Sequence, residues 1–300
     1  MVFQSSFLSG DTDIAVLRAM LSAPGNELDA LDFEELMALE PIRARTRLWR
    51  SADGRIAAFA FVDDFNNLCF SIDPEVREEE LEAQIVEWGE VCMRGRNQES
   101  GLKETLDASC DCGNSDRIRF LEQHGFNRTD LRTLKYARSL EVSIPEVELP
   151  EGFMTRSVLG EQEVEQLVEL HRAAFGTNYM TTDYRLAMMR TASYDPELDL
   201  VLVAPGEKLA AFCICGIEVG ENEPSEQKVG FTDPIGVHPQ YQKRGLGKAI
   251  LLTGLRALRQ RGVCRVGLGT SSKNIPMQRL AESAGFQLEK EKYWYSKEVD

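Results

Sequence analysis

Positive charge is scarce in this chain of 300 residues. Lys and Arg total 34 against 49 Asp and Glu, a formal net charge of -15. Such a field repels nucleic acid and an anionic membrane surface, and weakly attracts a cationic or amine substrate. Long apolar runs are also missing. The longest, 209–217, lies between Lys208 and Glu218 and is too short to cross a bilayer. No basic stretch precedes an apolar one in residues 1–10, so no secretory signal is read there and a cytoplasmic location is expected. The seven cysteines are odd in number and scattered, which argues against a disulfide framework. Cys110-x-Cys112 and Cys213-x-Cys215 lack metal-ligand spacing, so no metal is expected. With 43% hydrophobic and 28% charged residues, a packed core is feasible, in one large domain or two of ordinary size.

The stretch 141–152 carries Pro145, Pro150 and alternating acids, and reads as an extended connector near the midpoint. Its position prompts a search for duplication. The run starting at Ile56 resembles that starting at Leu209, an offset of 209−56 = 153. Pro74 matches Pro239 at 239−74 = 165, and Asn114, Gly125 and Phe126 match Asn274, Gly285 and Phe286 at 274−114 = 160. The jump from 153 to 165 places an insertion in the second half, where 220–227 reads as a polar hairpin tip. Two copies of one α/β unit are expected, divided as 1–145 and 146–300.

In the second copy, Val164, Leu167, Val168, Leu170 and Phe175 suggest an amphipathic helix from about Glu161, followed by a short helix over 182–191. Residues 198–204 and 208–218 read as a hairpin turning at Pro205-Gly206, and 229–237 as a third strand. Leu251, Leu255 and Leu258 line one face of a helix over 247–261. A strand over 263–269, a short helix over 275–284 and a final strand pair over 286–298 complete a mixed sheet with helices on its faces.

The chemistry is concentrated in residues 232–250. A strand ends at Val237 and a helix begins with Gly245-Leu-Gly-Lys248. The unpaired N–H groups of a helix N-terminus and its dipole make an anion site, and glycines let a phosphate approach the backbone. Lys243, Arg244 and Lys248 add positive charge in an acidic protein, so a pyrophosphate is the natural guest. A nucleoside-triphosphate loop would need glycine at Gln242 and a hydroxyl at Ala249, and a dinucleotide fingerprint fails at Ile250.

What remains, Q-x-x-G-x-G at 242–247 after a strand and Val-x-Pro, resembles the acetyl-CoA signature of the GNAT N-acyltransferase superfamily. Leu268 through Asn274 and Ala284-Gly-Phe286 resemble the family's next strand with its asparagine and its helix-ending "GF". The resemblance implies a tandem duplication of the α/β GNAT fold. It implies acetyl-CoA as acyl donor, held by Gln242, Lys243, Arg244, Gly245, Leu246, Gly247 and Lys248. It also implies direct attack by an amine, with a backbone N–H near Ile235, Gly236 and Val237 polarising the thioester carbonyl. Such attack needs a deprotonated amine, whose free pKa is roughly 10.4, and a donor aimed at the developing oxyanion. Asp233 is the candidate base, or it merely shapes a bend. Asn274 hydrogen-bonds the CoA arm, caps a helix, or does both. Many relatives carry a tyrosine acid where this chain has Ala281, so Tyr293 or Tyr295 would have to substitute, unless both simply pack on a sheet. His171 reads as a core or surface residue.

The first copy has lost the loop. On the Pro74–Pro239 anchor, 242–247 correspond to Arg77-Glu-Glu-Glu-Leu-Glu82, with carboxylates where a pyrophosphate would lie. A folded, cofactor-free scaffold domain is expected, its helix carrying Leu81, Ile85, Trp88 and Cys92 on one face. The expected acceptor is a small-molecule amine or basic peptide, and the protein a monomer or homodimer. The competing reading is a non-catalytic acyl-CoA-binding or regulatory protein.

Overall fold

The computed structural model describes residues 3–22, 26–76, 78–218 and 228–300; Arg77 and the expected hairpin tip at 220–227 lie outside them. Contacts divide the chain into two compact units, residues 1–132 with 291–300, and residues 133–290.

The first unit opens with β1 (Gln4–Phe7), α1 (Asp11–Leu21), α2 (Ala30–Met37) and α3 (Glu40–Arg45). Strands β2 (Arg47–Arg50), β3 (Ile56–Val62) and β4 (Leu68–Ile72) follow, forming with β1 an antiparallel sheet in the order β1-β2-β3-β4. Then come α4 (Glu79–Ser100), β5 (Leu106–Asp111), α5 (Ser115–Gln123) and β6 (Asn127–Ser139). All of β3 is buried, which is why its sequence is a continuous apolar run rather than an alternation. Helix α4 lays Leu81, Ile85 and Met93 into a core with Ala58, Ala60 and Phe70, and Trp88 and Cys92 pack on its edge.

The second unit runs through β7 (Met154–Ser157), a 3-10 turn, α6 (Val164–Phe175), α7 (Thr182–Met189), β8 (Asp199–Ala204), β9 (Lys208–Ile214) and β10 (Gly216–Glu218). It continues with β11 (Lys228–Phe231), β12 (Ile235–Val237), a second 3-10 turn, α8 (Leu246–Gln260), β13 (Val263–Ser271), α9 (Ile275–Ser283) and β14 (Gln287–Lys297). One sheet has the order β12-β9-β8-β7. Helices α6 and α7 cover its Val201, Val203 and Phe212 face. Helix α8 covers the Leu200, Leu202 and Cys213 face.

The duplication is visible in the hydrogen-bond register. Each β-hairpin carries a bulge at the same place, Trp49/Arg50 and Leu202/Val203, which differ by 203−50 = 153. Ala58 pairs with Ile72 in the first unit and Ala211 with Val237 in the second, preserving the offsets 211−58 = 153 and 237−72 = 165. The extra residues of the second unit therefore lie between β9 and β12, in agreement with the sequence offsets. Beyond them the offset settles at 160: Asn114 caps α5 by accepting from the Arg117 amide, and Asn274 caps α9 by accepting from the Met277 amide. Gly125 and Gly285 end these helices at φ 81° and 86°, and Phe126 and Phe286 donate their amides to the carbonyls of Leu121 and Ala281.

Three expectations change. The boundary lies at Arg132/Thr133 rather than 145/146, and the last ten residues return to the first unit, because Lys292–Lys297 pair antiparallel with β5 while Thr133–Ser139 pair antiparallel with β13. The connector 141–152 forms no helix and belongs to the second unit, tied by Arg138 Nη2 donating to the Ser143 carbonyl and Arg256 Nη2 to that of Pro145. The final strand pair is one strand, β14, whose sequence offers no glycine, proline or asparagine to turn on.

Candidate functional site

The expected strand over 229–237 breaks at Thr232–Pro234. Strand β11 pairs in parallel with β13 and antiparallel with β10, whereas β12 turns away to pair with β9. Proline has no N–H to continue a ladder. The Asp233 carboxylate accepts the Gly269 amide of β13 at 2.8 Å, fastening the turning point, and the Asp233–Pro234 peptide is cis. Gly236 is required by packing, since a Cβ there would stand 2.6 Å from the Phe212 ring and 2.8 Å from the Ala174 Cβ of α6.

Strand β12 is the edge of its sheet. Ile214 donates to the Pro234 carbonyl and His238 to that of Ala210, so positions 234, 236 and 238 face β9. By antiparallel alternation the N–H groups of Ile235 and Val237 face the free edge. The Val237 carbonyl accepts Gln242 Nε2 at 3.2 Å, which folds the following loop back against the strand.

That loop passes through the 3-10 turn Pro239–Tyr241, takes Lys243 to φ 62° and Gly245 to φ 80°, and enters α8 at Leu246. None of the backbone amides of residues 243–248 donates to an acceptor among the described residues, and no side chain caps α8. Helix geometry points such amides out beyond the N-terminus, where the dipole is positive. No acid stands in the first turn; Lys243 and Arg244 are exposed and Lys248 is half-buried. The two glycines divide the work. Gly245 supplies the left-handed turn, and a Cβ placed on it would meet nothing within 4 Å. Gly247 gives α8 its close approach to Val237 and Leu280, which would lie 3.4 and 3.3 Å from a Cβ at that position. The residues present therefore suit a diphosphate: open backbone donors, a glycine at the turn with clear space around it, and adjacent cations.

Asn274 is placed as the α9 cap, its Oδ1 accepting the Met277 amide at 3.2 Å. Ala281, the position where the resemblance implies a tyrosine acid in many relatives, is fully buried in the core of the second unit. The tyrosine candidates sit elsewhere. Tyr295 belongs to the first unit and is 1% exposed in its core, where burial raises its pKa; a side chain so enclosed cannot meet a thiolate. Tyr293, also of the first unit, packs against that core with the Arg128 guanidinium 3.4 Å over its ring. Both read as sheet-packing aromatics.

A buried polar cluster of the second unit left no signal in sequence spacing. Arg185 of α7 pairs with Asp199 of β8, which also accepts the Tyr194 hydroxyl at 2.7 Å. Arg185 Nη1, Asp199 Oδ1 and, on α6, His171 Nδ1 are buried without a partner. Burial, aided by Arg185, draws the His171 pKa down to about 4, leaving a neutral ring among Phe175, Tyr179 and Phe212. Burial also raises the Asp199 pKa, against the pull of Arg185. No group of His, Cys, Asp or Glu able to hold a metal occurs among the described residues, and no described helix is long and apolar enough to cross a membrane.

Residues 164–286, all within the second unit, match the model of the Acetyltransferase (GNAT) family. Mycothiol acetyltransferase of Saccharomonospora viridis is 29% identical over 174 residues, covering 56% of this chain and 57% of that protein. Mycothiol acetyltransferase of Thermobispora bispora is 30% identical over 166 residues, covering 54% and 56%. The chain thus spans about half the length of the curated relatives it matches. Over the whole fold it is similar to a tandem GNAT protein from the clavulanic acid biosynthesis pathway, with TM-score 0.71, 15% identity and coverage of 100% of this chain and 98% of that one. It is likewise similar to a GCN5-related N-acetyltransferase from Sphaerobacter thermophilus, with TM-score 0.68, 22% identity and coverage of 99% and 96%. The fold is a tandem duplication of the GNAT α/β unit.

Proposed function

We propose that the second unit is an acetyl-CoA-dependent N-acyltransferase and that the first unit takes no acetyl-CoA. The unpartnered amides of 243–248 beside the free edge of β12 carry this reading. Bound acetyl-CoA supplies an activated acyl group as a thioester. The amides of Lys243 through Lys248 hold its diphosphate, and Lys243, Arg244 and Lys248 neutralise the charge. The Ile235 and Val237 N–H groups donate to the oxygen on which charge develops; fixed donors of this kind need no reorganisation during reaction. Gln242 holds the loop to β12 through the Val237 carbonyl, so both donor sets move as one body. Asp233, two residues ahead of β12 and anchored by the Gly269 amide, takes the amine proton directly or through water. Asn274 positions the N-terminus of α9.

The relatives' name makes mycothiol-related acceptors the first to test, alongside polyamines and basic peptides, which the net charge of -15 attracts. Free thiol released from acetyl-CoA is followed with each acceptor, and acceptor-dependent release is the expected result. The alanine at 281, buried where the resemblance implies a tyrosine acid, favours a second reading, a non-catalytic acyl-CoA-binding protein. It predicts saturable acetyl-CoA binding with no acceptor-dependent release.

A further inference from the structure

The first unit holds a cleft of about 540 Å³ where the second has its loop site, by the offsets of 165 and 160. An isolated parallel bridge joins Asn67 to Asp107. Beyond it β4 and β5 pair with other strands and open a wedge, as β12 and β13 do in the second unit. Phe70 and Asp73 line one wall, α4 contributes Glu79 and Glu82, and α5 contributes Arg117. The corresponding positions of the second unit are Ile235 for Phe70, Arg244 for Glu79, Gly247 for Glu82 and Met277 for Arg117. The charge pattern differs: at the rim an arginine and a glycine of the second unit are matched by acids, and an apolar position, Met277, is matched by a cation.

Arg117 is the unusual member. Its guanidinium carbon lies 3.4 Å over the Phe70 ring, its Nε is buried without a partner, and it makes no ion pair among the described residues. Nearby Glu27 is occupied by the Asp111 amide, the Asn114 side chain and Lys292. Burial lowers the Arg117 pKa to about 10, so it remains charged at neutral pH. A guanidinium held over an aromatic ring at the wall of an open cleft, with no ion-pair partner among the described residues, is prepared for a carboxylate. At the rim Arg119 answers Asp116 at 3.5 Å, whereas Glu79 and Glu82 have no such partner among the described residues. A second anionic group would be repelled there and an ammonium group attracted.

The geometry points to a binding site for a small amino-acid-like zwitterion, with its carboxylate on Arg117 and its ammonium group or groups toward Glu82, Glu79 and Asp73. Coenzyme A, with its phosphates, is the wrong guest for this rim. The inference stands apart from the activity of the second unit, and either can fail alone.

The test is calorimetric titration of the full chain with L-lysine, glycine and L-glutamate. Lysine is expected to bind most tightly and glutamate least. Arg117→Met, copying Met277, is expected to weaken lysine binding about tenfold or more, with acetyl-CoA binding unchanged. Glu82→Gln is expected to reduce lysine binding more than glycine binding. Lysine binding that survives Arg117→Met, glutamate binding equal to that of lysine, or no binding by any probe at millimolar concentration overturns the proposal. Should Arg117→Met fail to fold, the Glu82→Gln comparison decides it, and an unchanged lysine-to-glycine ratio overturns it.

Discussion

The two units keep the same strand register and helix caps yet differ where α4 and α8 begin. Glu78, Glu79, Glu80 and Glu82 stand where the second unit has Lys243, Arg244, Gly245 and Gly247. Acids suit a helix N-terminus electrostatically, so α4 stays folded with carboxylates at the place where α8 begins with glycines and cations. The stability of the fold and the presence of the loop are therefore separable properties of one architecture.

The largest expected effect tests a difference buried below that loop. Asp199 and Thr46 correspond at the offset 199−46 = 153, but Asp199 balances buried Arg185 whereas Thr46 only donates to the Ile42 carbonyl. Asp199→Ala is expected to cost about 3–5 kcal/mol by leaving a buried cation unmatched. Thr46→Ala is expected to cost about 1–2 kcal/mol. Chemical denaturation of both variants measures the gap, and equal losses would break the comparison.

Next comes the loop itself. Gly245→Glu with Gly247→Glu, copying the first unit, is expected to weaken acetyl-CoA binding by on the order of a hundredfold or more, from charge repulsion and the left-handed turn at 245. Circular dichroism checks that the fold survives, and calorimetry reads the affinity. The reverse change, Glu80→Gly with Glu82→Gly, is expected to create no acetyl-CoA binding in the first unit, because Glu78 and Glu79 remain.

A pH dependence separates the units further. His171, in the second, has its folded pKa lowered from 6.5 to about 4, so the unfolded chain takes up its proton first as pH falls. Stability is therefore lost between about pH 6.5 and pH 4, by at most about 3 kcal/mol. His171→Phe, fitting among Phe175 and Phe212, is expected to flatten that slope in pH-dependent urea titrations; an unchanged slope assigns the loss to other groups.

The smallest effects should be equal. Asn114→Ala and Asn274→Ala each remove one cap and are expected to cost about 1 kcal/mol. A loss of acetyl-CoA affinity in the second variant alone would give Asn274 a binding role besides its cap.

Much of this is legible in the sequence because caps, turn glycines and bulges are local. Asn114 and Asn274, Gly125 and Gly285, and the offsets of 153, 165 and 160 all reappear as hydrogen bonds. Pairing partners are less legible. Alternation along β14 shows that Tyr293 and Tyr295 share a face, but not that the strand pairs with β5, so neither residue's place in the first unit is visible there. Residues 229–237 read as one strand, without the change of sheet that accompanies the break at Thr232–Pro234. Arg185 and Asp199 meet only through tertiary packing, and Arg117 reads as an ordinary helix-surface cation until Phe70 lies beneath it.

The return of residues 291–300 to the first unit, and the gift of 133–139 to the second, has a corollary. No single cut yields two self-sufficient halves. Deleting the first copy removes a ladder partner of β13, and trimming the far terminus strips the other copy of Tyr295, a plug of its interior. A cut at 145/146, where the duplication alone would place it, therefore parts β13 from its partner Thr133–Ser139 and β5 from its partner Lys292–Lys297.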